Sequence, residues 1–140
     1  MAEAVPPGAS VADVGCGDGH LSRSLRKRGH RVVPTELRPG PAARARERLG
    51  ECRVGEGLEP IAPGEVDVAV IAGMGGNTIA DILERSPEVV RSLRLLVLQP
   101  MQRIDQLRTA LDRAGHRVER ELEATDRGRR YTVLVVGPAD

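Results

Sequence analysis

Val11-Ala12-Asp13-Val14-Gly15-Cys16-Gly17-Asp18-Gly19-His20-Leu21 is the stretch on which the fold turns. Val11 to Val14 has the character of a buried parallel strand. The glycines at 15, 17 and 19 make a turn, and Leu21 to Arg28 is an amphipathic helical segment. Strand, glycine turn and helix in that order bring backbone N–H groups and a helix N-terminus close to a nucleotide-like ligand. Glycine suits the turn because positive φ carries no Cβ strain and no side chain holds the ligand away.

Spacing separates the ligand classes. A dinucleotide fingerprint has glycines at the first, third and sixth places. Here the sixth place counted from Gly15 is His20, and the third glycine falls one residue early. An acid at the strand end, Asp13, suits a ligand that carries an ammonium group and repels a pyrophosphate. The pattern Asp13-x-Gly15-x-Gly17-x-Gly19 resembles motif I of the S-adenosyl-L-methionine (SAM) methyltransferases. A glycine triplet by itself is also compatible with a plain strand-to-helix turn that binds nothing.

Working outward, Met1–Ser10 reads as a short lead-in, and Gly29 stops the first helix. His30–Thr35 is a second strand, with Glu36 and Leu37 just beyond it. An acid about twenty residues past the glycine loop is placed to accept ribose hydroxyls; the alternative is a surface carboxylate. Pro39 to Leu49 is a helix stopped by Gly50, and Cys52–Val54 is a short strand ending in Gly55-Glu56-Gly57. Glu56 there is suited to accept an adenine amino group.

Val66–Ala72 is apolar enough for a central strand covered on both faces. It runs into Gly73-Met74-Gly75-Gly76-Asn77 and a helix from Thr78 to Arg85, with Asn77 or Thr78 as its cap. Two glycine turns on one sheet edge define a cofactor cleft. Leu93–Leu98 is another buried strand, and Ile104, Leu107, Leu111 and Ala114 mark a helix closed by Gly115. Arg117–Leu122 and Arg130–Val136 form a terminal hairpin across a polar loop, Ala124–Arg129.

With 140 residues, 40% of them apolar, the chain is expected to be one domain with a real core. A net charge of +1 excludes a global field that attracts nucleic acid. Arg23, Arg26, Lys27, Arg28 and Arg31 cluster around the first helix, as an RNA contact or simply as a solvated face. Cys16 and Cys52 have no CxxC partner and no histidine at ligand spacing, so no metal is expected. No secretory segment or membrane-length apolar run is evident, so reduced thiols in the cytoplasm are expected. Tyr131 is the only aromatic residue.

The order of elements is that of an α/β, doubly wound, mostly parallel Rossmann-like sheet of the class I methyltransferase type, with the last strand antiparallel. Two stretches narrow the resemblance: Val70-Ile71-Ala72-Gly73-Met74-Gly75-Gly76-Asn77-Thr78-Ile79, and Leu96-Val97-Leu98-Gln99-Pro100-Met101 followed by Leu107-Arg108-x-x-Leu111. Together with Gly57-Leu58 they resemble the bacterial tRNA (adenine-22-N1)-methyltransferase family, TrmK. The chain departs from that family in having Cys16-Gly17-Asp18 where a Ser-Asp-His type of sequence is usual. It also lacks the family's C-terminal helical extension, so residues 1–140 are expected to form a single SAM-dependent methyltransferase domain.

The resemblance implies SAM as cofactor and tRNA as substrate, with a methyl group passed directly to an adenine nitrogen. It implies that Asp13 and the Ala72–Gly73 carbonyls hold the methionine ammonium, Glu36 the ribose and Glu56 the adenine. Gly15, Cys16, Gly17, Gly19, Leu37, Gly55, Gly57 and Met74 complete the expected cofactor site. Asp18 and Asn77 are the catalytic candidates, and Asp18 is alternatively a helix N-cap. Reaching N1 inside paired RNA requires flipping the base, usually onto an aromatic ring. With aromatic residues so scarce, Met74, Met101 or an arginine plane is expected to substitute. A small-molecule methyltransferase and a SAM-binding module without catalysis are the alternative functions.

Overall fold

A computed structural model describes residues 1–139, excluding the Asp126 side chain. A 3₁₀ turn at Ala2–Ala4 leads into β1 (Val11–Val14), α1 (His20–Lys27), β2 (Val32–Glu36), α2 (Pro39–Leu49) and β3 (Arg53–Val54). Then come β4 (Val68–Met74), α3 (Gly76–Arg85), α4 (Pro87–Ser92), β5 (Leu95–Pro100), α5 (Ile104–Arg113), β6 (Arg117–Asp126) and β7 (Arg129–Gly137). They form one seven-stranded sheet in the order β3-β2-β1-β4-β5-β7-β6. The first five strands are parallel, and β7 is inserted antiparallel between β5 and β6. This is the doubly wound α/β sheet expected, with the chain reversing at its antiparallel end.

The central strands are near-continuous aliphatic runs because both faces are covered. One face packs Ala12, Val14, Ala69, Ile71, Leu96 and Leu98 with Ile79, Leu83, Val90, Leu107 and Leu111 from α3, α4 and α5. The other packs Val11, Val68, Val70, Val97, Val133 and Val135 with Leu25 of α1 and the N-terminal turn. A third, small cluster holds Ala42, Ala45 and Leu49 of α2 against Cys52, with Cys16 at its margin.

Several local expectations change. The lead-in carries the 3₁₀ turn, with Ala2 and Ala4 buried. The segment Pro87–Ser92, left between elements by the sequence pattern, is a helix started by Pro87 at its first turn. The hairpin loop shrinks to Arg127-Gly128, both at positive φ (51° and 77°), the pairing geometry of a type I′ turn. Neither Asp18 nor Asn77 nor Thr78 caps a helix: Gly19 and Gly75 take the cap positions, with no side-chain cap bond. No helix among the described residues is long and apolar enough to cross a membrane.

Two features bear on the sheet's ends and edges. β3 is only two residues long, and β6, at the opposite edge, carries Arg117, Glu119, Arg120, Glu121 and Glu123. β4 contains a register shift against β5 between Ala72 and Met74, around Gly73 at φ 80°. Such a bulge bends a strand end and re-aims the residues that follow.

Candidate functional site

A cavity of about 320 Å³ opens at the carboxyl ends of the parallel strands. Four successive turns wall it: Val14-Gly15 after β1, Glu36–Arg38 after β2, Gly55–Gly57 after β3, and Ala72–Met74 at the end of β4. This is the crevice that open α/β sheets offer to ligands. Gly15 and Gly73, from the two glycine turns, therefore lie on the same side of the molecule. A wider depression between α3 and α5, about 590 Å³, is lined by Glu84, Asp105, Thr109 and Arg113. It draws nothing from the strand ends, where convergent backbone groups are found.

Glycine suits the walls on two counts, the positive φ of Gly15 and Gly57 and the space around them. A Cβ added to Gly15 would run into the Met74 side chain, and one at Gly57 would stand 2.9 Å from Ile82 Cγ2. Gly76 is tighter still: an added Cβ would overlap the backbone carbonyl of Arg103. That contact, with the bonds from Gly76 N–H to the Gln102 carbonyl (2.8 Å) and from Met101 N–H to the Met74 carbonyl (2.8 Å), locks the β4 turn to the β5 turn.

Glu36 is 5% exposed and pre-organised. One oxygen accepts from Gly17 N–H at 3.1 Å, the other from Arg38 N–H at 2.9 Å. The second oxygen also accepts from Arg38 Nε at 3.5 Å, so the lone pair left over for a ligand hydroxyl is on the oxygen that Gly17 N–H holds. Leu37, beside it, is 58% exposed while lining the cavity, an apolar plate turned toward whatever enters.

The other expected contacts are modified. Asp13 does not line the cavity; it is buried at the end of β1 and accepts a 2.6 Å bond from the Ser22 hydroxyl of α1. Burial pushes its carboxyl up to about 6, against the Ser22 bond, with the Glu36 charge adding to the rise. Its place is to join β1 to α1 beneath the glycine loop. Cys16, Gly17 and Gly19 are also outside the lining. The Cys16 thiol faces α2 and lies 3.9 Å from the Cys52 thiol, and burial raises both above the usual thiol range. Gly19 makes room for Leu49, whose Cδ1 would stand 2.8 Å from an added Cβ. The Glu56 carboxylate, although at the cavity, is engaged by Arg85 of α3 at 2.6 Å.

The catalytic candidates are not in the cavity. Asp18 is turned toward α2 and pairs with Arg44 at 3.4 Å. Asn77 is exposed in the first turn of α3, next to the lining residue Thr78. Arg38, Thr78 and Ile82 complete the lining; Thr78 and Ile82 had read as residues of the helix after β4, and Arg38 had no part in the sequence reading. Among the described residues no group of three or more His, Cys, Asp or Glu is arranged to hold a metal ion.

Of the basic residues flagged around the first helix, Arg26, Arg28 and Arg31 lie at the opposite end of the sheet. Arg26 donates to the Leu49 carbonyl and pairs with Glu51, Arg28 pairs with Glu3, and Arg31 donates to the Glu65 carbonyl. They hold the amino-terminal ends of the strands together rather than facing the cavity.

Residues 1–134 match a family model described as a methyltransferase domain. The tRNA (adenine(22)-N(1))-methyltransferase of Bacillus subtilis is 33% identical over the whole chain, which spans 63% of that relative's length. The crystal structure of the B. subtilis m1A22 tRNA methyltransferase TrmK superposes with a TM-score of 0.87 at 33% identity, covering 99% of this chain and 64% of that one. Sp1610 of Streptococcus pneumoniae, solved in complex with SAM, gives a TM-score of 0.93 at 31% identity, covering 99% of this chain and 70% of that one.

Proposed function

We propose a function from one premise: this chain belongs to the methyltransferase domain family, alongside the bacterial tRNA (adenine-22-N1)-methyltransferases. The function is SAM-dependent transfer of a methyl group to N1 of an adenine in tRNA. The observation that carries it is the carboxyl-edge cavity, where glycine walls meet the pre-organised carboxylate of Glu36.

The residues present fit the cofactor. Gly15, Gly55 and Gly57 line the cavity without side chains of their own, so a ligand can approach their backbone. Glu36 supplies an acceptor for the ribose, Leu37 an apolar face for the adenine ring, and the bulged Ala72–Gly73 end of β4 carbonyl dipoles for an ammonium group. Asp13 acts one layer below as a positioning residue, through Ser22. Glu56 contributes its backbone to the wall and keeps Arg85 in place.

Bound there, SAM supplies an electrophilic methyl on a sulfonium. The chain's own contribution is orientation. Adenine N1 has a free lone pair, so no protein nucleophile and no covalent intermediate are needed. Fixing two reactants at near-attack distance removes up to roughly 7–11 kcal/mol of entropic barrier. The interlocked β4 and β5 turns provide that rigidity, because Gly76 leaves the Met74 and Met101 segments no slack against each other.

The test pairs calorimetry with transfer of labelled methyl groups. The folded chain should take up SAM and its demethylated product, and should methylate tRNA carrying adenine at the expected site but not tRNA with guanine there. Uptake of neither compound by folded protein overturns the cofactor site. Uptake without transfer to either RNA overturns the substrate.

A further inference from the structure

The hairpin of β6 and β7 does not end level with the sheet. Leu98 of β5 pairs with Leu134 of β7, and that register continues to place Pro100, the last residue of β5, opposite Thr132. Tyr131, Arg130 and Arg129 therefore stand past the end of β5, by about 10 Å at roughly 3.3 Å per residue. They rise on the carboxyl edge, the edge that carries the cavity. β5 alone separates β7 from β4, so the tip stands about 10 Å sideways from the β4 turn at roughly 4.8 Å per strand.

The tip's composition differs from its stem. Arg127, Arg129 and Arg130 are exposed and, among the described residues, form no ion pair. The acid in the turn region is Asp126, in register with Arg129, while Glu119, Glu121 and Glu123 lie lower on β6. Arg103, in the β5–α5 turn beside Gly76, adds a further exposed and unpaired cation, on a backbone at φ 55°. Tyr131, the one aromatic residue of the chain, is half-buried at the base of this tip. A chain with a net charge of +1 has no global attraction for a polyanion, so any RNA contact must be local.

We propose that the tip of the β6–β7 hairpin is the surface that holds the substrate RNA: Arg127, Arg129 and Arg130 meet its phosphates and Tyr131 stacks on a base. Cations that follow a backbone combined with an aromatic platform form the common design for single-stranded nucleic acid. The surface rests on the reading of RNA as substrate and adds where it is gripped. It gives Tyr131 a stacking role outside the cleft, separate from the one at the target base that the sequence left to Met74, Met101 or an arginine.

The test uses the full chain carrying Arg127→Asn, Arg129→Gln and Arg130→Gln together. Asn is at home at positive φ, so the turn is kept while the charge is lost. Affinity for tRNA should fall about tenfold or more, and the log–log salt slope should become shallower by about two to three. Calorimetric uptake of SAM and the unfolding temperature should not move. Tyr131→Phe should keep RNA affinity, whereas Tyr131→Leu should lose about tenfold. If the triple variant binds tRNA within about twofold of the unaltered chain with the same salt slope, the surface is wrong and the substrate reading stands. If the unaltered chain takes up SAM but binds no RNA, both fall together.

Discussion

The two ends of the same parallel strands are made of different materials. At the carboxyl end, the turns are glycine and backbone, with Gly15, Gly57 and Gly73 at positive φ and one buried carboxylate held by N–H groups. At the amino end, side chains are tied off. Ser10 and Asp67 exchange two hydrogen bonds, buried His30 bonds the Ala9 carbonyl, and Arg31 donates to the Glu65 carbonyl. The contrast teaches where to look for function: polar groups with lone pairs left over face the cavity, while those at the other end have spent theirs on each other.

Substitutions should sharpen this division. The largest effect is expected at Gly76→Ala, where the new methyl meets a backbone carbonyl that cannot rotate away. Destabilisation of about 3 kcal/mol, read by chemical denaturation, should accompany loss of SAM uptake. An alanine variant as stable as the unaltered chain would remove the interlock between the β4 and β5 turns.

Asp13 comes next. Its carboxyl, raised from 3.8 to about 6 by burial, favours the protonated form in the fold. The stability it lends is complete below pH about 4 and fades as pH rises through about 6, by on the order of 3 kcal/mol at about 1.4 kcal/mol per pH unit. Asp13→Asn keeps an acceptor for Ser22 and removes the titration. The variant's advantage should therefore grow from pH 4 to pH 7, as measured by the difference in unfolding free energy. A constant difference would show that Asp13 is solvated.

Glu36→Ala should weaken SAM by roughly 2 kcal/mol, about thirtyfold in Kd, because charged acceptors contribute that much to bound hydroxyls. Calorimetry reads it directly, and an unchanged Kd would move the ribose elsewhere. The smallest effect belongs to the amino end. Arg28→Ala with Arg31→Ala should cost under about 0.5 kcal/mol and leave tRNA affinity unchanged, since exposed pairs contribute little. A large loss of RNA binding there would erase the distinction between the two ends.

The parallel sheet and the glycine turns of the cavity were legible because the central strands are aliphatic runs and β1, β3 and β4 lead into glycines. Pro87–Ser92 was not, since six residues are too few to display a helical period. Where the strand-end acids point was not legible either. Asp18 faces α2 because Gly17 and Gly19, both at positive φ, swing the loop, and Glu56 answers to Arg85, 29 residues away. The arginine cluster around α1 was read without its direction: Arg26 and Arg28 close that helix and Arg31 precedes β2, so they lie with the amino ends of the strands. Tyr131 was passed over because the register that lifts it past β5 is a property of strand pairing.

The margins of the sheet have a consequence for how the protein behaves in concentrated solution. A strand with open hydrogen-bonding groups invites a neighbour to zip on. Here one margin is too short to template anything, and the other presents alternating charge that a second copy would have to desolvate. The sheet is built not to grow sideways, so crowding alone should not convert it into fibrils.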